Sequence, residues 1–325
     1  MADSNIEWTD KVWNPVRGCS IVSPGCHSCY AMKTAHRFNG PGQPYEGLTK
    51  LANGKPVWTG EVRCIPEKLS EPLSWKKPQR VFVNSMSDLF HENVPGEFIQ
   101  KVWLTMQRAH RERGHVFQVL TKRPQRMLEF LTEPPPNGIQ WYAATGNVPC
   151  LEPGIWLGVS VEDQARADER IPHLLRTPAA VRFLSVEPML GPVDLGLMDM
   201  FVDLDDGTQT PGIGWVIVGG ESGPNARPCA VSWIRSIVEQ CKASGVPCFV
   251  KQMGSKPYED ADDGTAVRSW GEASIQPNGD FVQIHLRDKK GGNIEEFPND
   301  LMVREFPKKN EMVIEDAVSA TGCAD

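Results

Sequence analysis

The sequence predicts an α/β protein, a full or partial (βα) barrel followed by a small C-terminal α+β extension. Two observations carry that prediction. Short runs rich in β-branched and aromatic residues alternate with stretches long enough for a helix, and polar residues gather directly after the runs. A third observation sets the boundary: beyond Gly254 the alternation stops, so residues 1–254 are expected to form the barrel-like part and 255–325 the extension.

In chain order the predicted strands are Val12–Val16, Val81–Asn84, Val116–Leu120, Trp156–Ser160, Val181–Val186, Trp215–Val218 and Cys248–Lys251. Predicted helices lie between them. Gly96–Arg113 brings Phe98, Val102, Met106 and Ala109 onto one face, and Val231–Ser244 reads in the same way. After five of the strands come "NSMSDLFHE", "TKRP", "SVED", "SVEP" and "GGESGPNARP". Any one of these could be an ordinary turn, because Ser, Asp and Gly cap helices and shape turns. Five in series point to a site, since the loops at the C-terminal ends of barrel strands are where such folds build their chemistry.

Two insertions, Thr132–Gly154 (rich in Pro, Gly and Asn) and Asp199–Gly214 (acidic), read as loops or lids. In the extension, Ala273–Leu286 alternates around an Asn-Gly pair and predicts a hairpin, while Glu311–Asp325 reads as a loose tail.

Composition narrows the function classes. No run of about 18 apolar residues is present, as a membrane span would need, and "MADSNIEWTD" lacks the apolar centre of a signal peptide. The expectation is a soluble, cytoplasmic protein without a membrane partner. Nine cysteines, an odd number, fit reduced thiols better than a disulfide framework. A formal charge of −7 excludes a strongly basic polyanion binder and leaves only local patches for nucleic acid.

The densest chemistry is "RGCSIVSPGCHSCYAMKTAHRF", Arg17–Phe38, which holds Cys19, Cys26 and Cys29 in a C-x6-C-x2-C pattern after the first strand. Cys29 opens a predicted helix, Tyr30–Phe38, where the helix N-terminus favours a thiolate. Three readings of the residues stay open. A structural zinc site would recruit His27 or His36 as a fourth ligand. Three buried thiols could be core packing. A 4Fe-4S cluster held by three thiols would leave one iron open.

At this point a resemblance appears. The blocks "IEWTDKVWNPVRGCSIVSPGCHSCYA", "RVFVNSMSDLFHENVP", "VLTKRP", "WLGVSVE", "RFLSVEPMLGP", "WVIVGGESGPNARP" and "FVKQMG", together with "FPNDLMVREFP", resemble a phage and bacterial three-cysteine family related to the radical S-adenosyl-L-methionine (SAM) enzymes. In that superfamily the usual spacing is C-x3-C-x2-C, so the second interval matches and the first is longer by three residues.

The resemblance implies a barrel of the radical SAM type. It also implies a 4Fe-4S cluster on Cys19, Cys26 and Cys29, SAM on the open iron, and a 5'-deoxyadenosyl radical that removes a hydrogen atom from an unactivated carbon. An external electron donor is implied too. By position, Ser85, Ser87 and Asp88 would meet the SAM amino group, Lys122 or Arg123 its carboxylate, and Ser160 or Glu162 the ribose hydroxyls. Glu187 and Glu221 would face substrate. "GGE" at Gly219–Glu221 follows the sixth strand and not the second, so the superfamily's SAM-binding role for that motif is not carried over to it.

For substrate, the family resemblance points to amino-acid-modified thymine in phage DNA, isomerised from a nitrogen-linked to a carbon-linked form as protection against host restriction, in the host cytoplasm. The basic runs Lys76–Arg80, Thr121–Arg126, Arg287–Lys290 and Arg304–Lys309 would hold a phosphate backbone, and ten tryptophans would offer stacking surfaces. On composition alone the favoured reading is that those runs are solvated faces and the tryptophans core. A peptide or small-metabolite radical SAM enzyme and a zinc-stabilised binding module are the competing classes.

Overall fold

The computed structural model describes residues 4, 6–132, 153–203, 209–260, 272–275 and 281–307. Seven parallel strands dominate it: β1 (Lys11–Trp13), β2 (Arg80–Val83), β3 (Val116–Thr121), β4 (Ile155–Ser160), β5 (Val181–Val186), β6 (Trp215–Gly219) and β7 (Cys248–Gln252). They form one open sheet in sequential order, the arrangement of a partial barrel. The pairings β1–β2, β2–β3, β3–β4, β5–β6 and β6–β7 are all parallel, with Lys11 opposite Val81 and Val216 opposite both Leu184 and Cys248. Every residue of β4 and of β6 is buried, as expected of parallel strands covered on both faces.

Helices fill the connections: α1 (Tyr30–Arg37), α2 (Gly96–Arg113), α3 (Pro124–Thr132), α4 (Gln164–Arg176) and α5 (Val231–Ser244). The predicted bounds of α2 and α5 match, and glycines stop both. Gly114 (φ 70°) and Gly245 (φ 70°) adopt the left-handed geometry that costs a glycine little. The first strand is shorter than predicted. Pro15 has no N–H for the ladder, and Val16–Arg17 instead pair antiparallel with Arg63–Cys64.

The chain divides into two compact units. One is drawn from Met1–Val159 and Pro172–Arg182, the other from Ser160–Ile171 and Phe183–Pro307.

In the first unit, Trp13, Val81, Val83, Phe117 and Val119 are buried with the inner face of α2, and Trp13 meets Phe117 with ring centroids 5.9 Å apart. Between β1 and β2 the chain builds a lobe. Here a hairpin, Thr49–Ala52 with Lys55–Trp58, turns at Asn53 and Gly54, both at positive φ. Ala31, Met32 and Ala35 of α1 pack with Leu48, Trp58 and Met86, and Cys19 and Cys29 lie against that cluster.

In the second unit, Phe183, Trp215 and Phe249 are buried with α5. A smaller sheet runs in the order Cys229–Ala230, Pro257–Asp260, Phe281–His285, Glu272–Ile275, so it draws on the β6–α5 connection as well as the extension. The predicted hairpin is its Glu272–Ile275/Phe281–His285 pair. Asp199–Gly214 is a correction to the loop reading. Phe201–Asp203 and Gln209–Pro211 pair antiparallel as a β-ribbon. Along β7, Val250 N–H donates to Val303 O (2.8 Å) and Glu305 N–H to Cys248 O (2.8 Å).

Most of the 132–154 insertion, with Cys150, lies outside the described residues, as do the Asn278-Gly279 turn and the tail with Cys323. Among the described residues no helix is long and apolar enough to cross a membrane.

Candidate functional site

The first unit gathers Cys19, Cys26, Cys29, Ser85, Ser87, Asp88, Lys122 and Arg123 from the loops that follow β1, β2 and β3. Cys26 ends a short 3-10 turn, Pro24–Cys26, and Cys29 is the residue before α1. Gly18 turns the chain into this loop at φ 87°, where a Cβ would run into the Glu61 carbonyl oxygen. Its partner in a parallel bridge is Ser87, whose hydroxyl donates to Val16 O at 2.8 Å.

Asp88 is the hub of the loop after β2. It is buried and accepts from Thr121 Oγ (2.8 Å), Phe90 N–H (2.9 Å), Lys122 N–H (3.1 Å) and Arg123 Nη1 (3.1 Å). Arg123, its side chain 10% exposed, extends that hub to the cysteines. Nε donates to Glu92 Oε2 (2.6 Å), Nη2 to Ser20 Oγ (2.6 Å) and Nη1 also to Cys19 Sγ (3.9 Å). His91 joins the same network. Its Nδ1 accepts from Asn93 N–H (3.1 Å), which leaves the proton on Nε2, and Nε2 donates to Ser20 Oγ at 3.0 Å.

The electrostatics follow from this wiring. Burial pushes the Cys19 thiol up to about 12, helped by the Asp88 charge and opposed by Arg123. Burial also raises Cys29, against the pull of the Ala31 and Met32 amides at the start of α1 and the Lys122 ammonium. Glu92 goes the other way. Burial alone would raise it, but the Arg123 hydrogen bond and charge outweigh burial and hold its carboxyl at about 2. Burial and the neighbouring Arg123 charge lower His91.

As a metal site the thiols fit in kind. They feel one another's charge, two cations lie beside them, and buried thiols with raised pKa values become good anionic ligands only when a cation replaces the proton. Among the described residues no group of three His, Cys, Asp or Glu side chains is drawn up as a metal-holding set. Neither histidine considered as a fourth ligand turns to the thiols by itself: His27 is exposed, and His36 Nδ1 is bonded to Thr49 Oγ (3.0 Å).

The remaining predicted residues belong to the second unit. Glu162, fully buried, pairs with Arg170 Nη1 at 3.0 Å, and the same nitrogen donates to Ser160 O at 2.8 Å. Glu187 pairs with Lys251 Nζ at 2.6 Å. Glu221 takes Arg227 bidentately (Nη2 to Oε1 2.7 Å, Nε to Oε2 3.0 Å) and also accepts the Arg227 N–H. Each of these carboxylates therefore has a fixed cationic partner within its own unit.

Sequence reasoning missed Ser20, Tyr30, His91 and Glu92. Tyr30 O–H donates to Ser85 O (2.8 Å), while the Ser85 hydroxyl meets Asn14 Oδ1 (3.3 Å). His91 and Glu92 stood inside the quoted "NSMSDLFHE" stretch, and their residue types were the available signal.

By fold and site this is an α/β protein that carries three thiols in the loop after its first parallel strand. A family model described as a protein of unknown function, DUF5131, matches residues 3–312, and the chain belongs to that family. No curated protein and no solved structure matches the chain.

Proposed function

We propose that this protein is a radical SAM enzyme, with a 4Fe-4S cluster on Cys19, Cys26 and Cys29, that isomerises amino-acid-bearing thymine in phage DNA from the nitrogen-linked to the carbon-linked form. The observation that carries the reading is the set of three thiols in the loop after β1, one at the start of α1, with Lys122 and Arg123 beside them. The open parallel sheet would then be the partial barrel of that superfamily. When bound, the cluster and SAM supply a one-electron cleavage that yields a 5'-deoxyadenosyl radical.

The chain's own residues then divide the work of holding and positioning. Lys122 offers the ammonium that takes the SAM carboxylate. Arg123 is engaged with Asp88, Glu92, Ser20 and Cys19 and holds the cysteine loop in place. Ser85 presents a hydroxyl for the SAM amino group, and Asp88 positions Lys122 through its backbone N–H. Glu162 is locked on Arg170 and fixes the end of β4. Glu187 and Glu221, held by Lys251 and Arg227, are set as oriented acceptors for substrate.

Anaerobic purification with iron, sulfide and zinc analysis, followed by an assay for 5'-deoxyadenosine, tests the chemistry. The expected result is a brown, iron-loaded protein that cleaves SAM. A colourless, zinc-loaded protein would sink it. Weighing the nucleosides of DNA made with and without the gene tests the substrate, and identical nucleosides in both would reject it.

A further inference from the structure

The three thiols in the loop after β1 have unlike neighbours at their sulfurs. Cys26 Sγ meets the neutral Ser23 hydroxyl at 3.8 Å, and Cys29 lies against the Ala31 and Met32 amides at the start of α1. Cys19 Sγ has a charged neighbour, Arg123 Nη1, at 3.9 Å.

A guanidinium carries five N–H donors in a rigid fork. Arg123 has committed four of them: Nε to Glu92, one Nη1 hydrogen to Asp88 and the other to Cys19, and one Nη2 hydrogen to Ser20. A single N–H is left, too few for the bidentate grip an arginine gives a ligand carboxylate. The backbone is held too, since the Arg123 N–H donates to Thr121 Oγ at 2.9 Å and that hydroxyl donates to Asp88. Arg123 is thus spent on the cysteine loop itself.

The charges that face Cys19 oppose one another. After burial, the largest influence is Asp88, which raises the thiol, and Arg123 follows, which lowers it. Thr121 Oγ and the Phe90 and Lys122 amides also donate to Asp88, so without the guanidinium that carboxylate would still face Cys19. Solvent screens this pair little, the Arg123 and Asp88 side chains being 10% and 7% exposed. Glu92, on the far side of Arg123, is 56% exposed and largely screened.

We infer that Arg123 tunes the reduction potential of the cluster through Cys19: the guanidinium offsets the Asp88 carboxylate and lends an N–H to the sulfur, so the more negative, reduced state is easier to reach. The inference rests on the iron-sulfur reading above. A cation and an N–H donor at a ligand sulfur both favour the added electron. Lys122 does not duplicate the effect, because the SAM carboxylate assigned to it would cancel its charge.

The test uses the full-length, anaerobically purified protein with its cluster, in a redox titration followed by EPR. Arg123→Met should shift the reduction equilibrium against the reduced form at least about tenfold, about 59 mV lower for one electron. Arg123→Lys, which keeps the charge and loses the fork, should recover at least about half of that shift. Glu92→Gln cuts the charge on the same guanidinium from the solvent side, and should leave the potential within about threefold of wild type, on the higher side if it moves. A second readout needs no variant that strains the loop. In wild type, arginine carrying an isotopic nitrogen label at both Nη atoms should add a nitrogen coupling to the pulsed EPR spectrum of the reduced protein, and Arg123→Lys should lack it.

The inference is overturned if Arg123→Met keeps the wild-type potential, or if the label is silent in the wild-type spectrum. It is equally overturned if Glu92→Gln lowers the potential as far as Arg123→Met does, since that would trace the shift to a loosened loop. Should Arg123→Met bind no iron, the label and the comparison of Arg123→Lys with Glu92→Gln decide. A zinc-loaded wild type would overturn the iron-sulfur reading and this inference together. An iron-loaded protein that cleaves SAM, with one potential in wild type and Arg123→Met, would reject the inference alone.

Discussion

Asp88 has several donors, and the one with a charge, Arg123, reaches Cys19 across 104 positions of sequence. Removing that guanidinium as Arg123→Met would strand a buried carboxylate and free Ser20, at a cost of about 3 kcal/mol by urea denaturation. Arg123→Lys would restore charge without the fork and recover only part of the loss. A variant as stable as wild type would show that the network is not holding the loop. Cys19→Ala, Cys26→Ala and Cys29→Ala should each reduce iron per chain and SAM cleavage to background, while Cys64→Ala should retain both; loss of iron in Cys64→Ala would reinstate a four-ligand site. In the second unit, Arg170→Met should cost about 3 to 5 kcal/mol, because Glu162 would be left as a wholly buried anion without its cation. A change below about 1 kcal/mol in urea would contradict that account. The thiols were legible as residues because their spacing is local, whereas Arg123 with Cys19 and Glu162 with Arg170 are pairs that only the fold creates.

At the scale of elements, strands were legible wherever β-branched residues ran together, and α2 and α5 wherever apolar positions recurred at helical spacing. The lobe was not read as structure. "LTKLANGKPVW" contains an Asn-Gly pair between strand-forming runs, the signal of its hairpin, yet it lies in a stretch whose cysteines drew the chemical reading. Entry to the lobe depends on Gly18. Gly18→Ala would face both a left-handed backbone, about 1 to 2 kcal/mol, and a collision with Glu61 O. The expected outcome is lower metal content together with a lowered thermal midpoint, read by metal analysis beside thermal melting. Wild-type metal content in Gly18→Ala would mean that the loop reaches its ligand geometry by another path.

For the whole molecule, the titrations set a direction for pH dependence. Burial holds His91 and His115 below the usual histidine value, so the unfolded chain takes up protons first as pH falls below about 6.5, and stability drops. Despite burial, Arg123 keeps Glu92 at about 2 and Arg80 keeps Asp10 below its usual value, which adds a second loss between about pH 4.5 and 2. Thermal midpoints should therefore decline stepwise on acidification, and Glu92→Gln should flatten the lower step. A midpoint that rises on acidification would reverse the sign and refute the assignment.

The segment that borders β7 has a consequence for biosynthesis. Val303 and Glu305 satisfy the backbone of Val250 and Cys248, Glu305 O accepts from Trp215 Nε1 (2.9 Å), and Phe306 lies against Trp215 and Phe249 at 5.4 and 5.3 Å. Until those residues leave the ribosome, about 50 residues after β7, an apolar strand with open hydrogen-bonding groups stands ready to pair with any neighbour. The "FPNDLMVREFP" stretch thus works as a late-arriving guard, and a nascent chain stalled before Val303 would be a target for chaperones and a seed for aggregation.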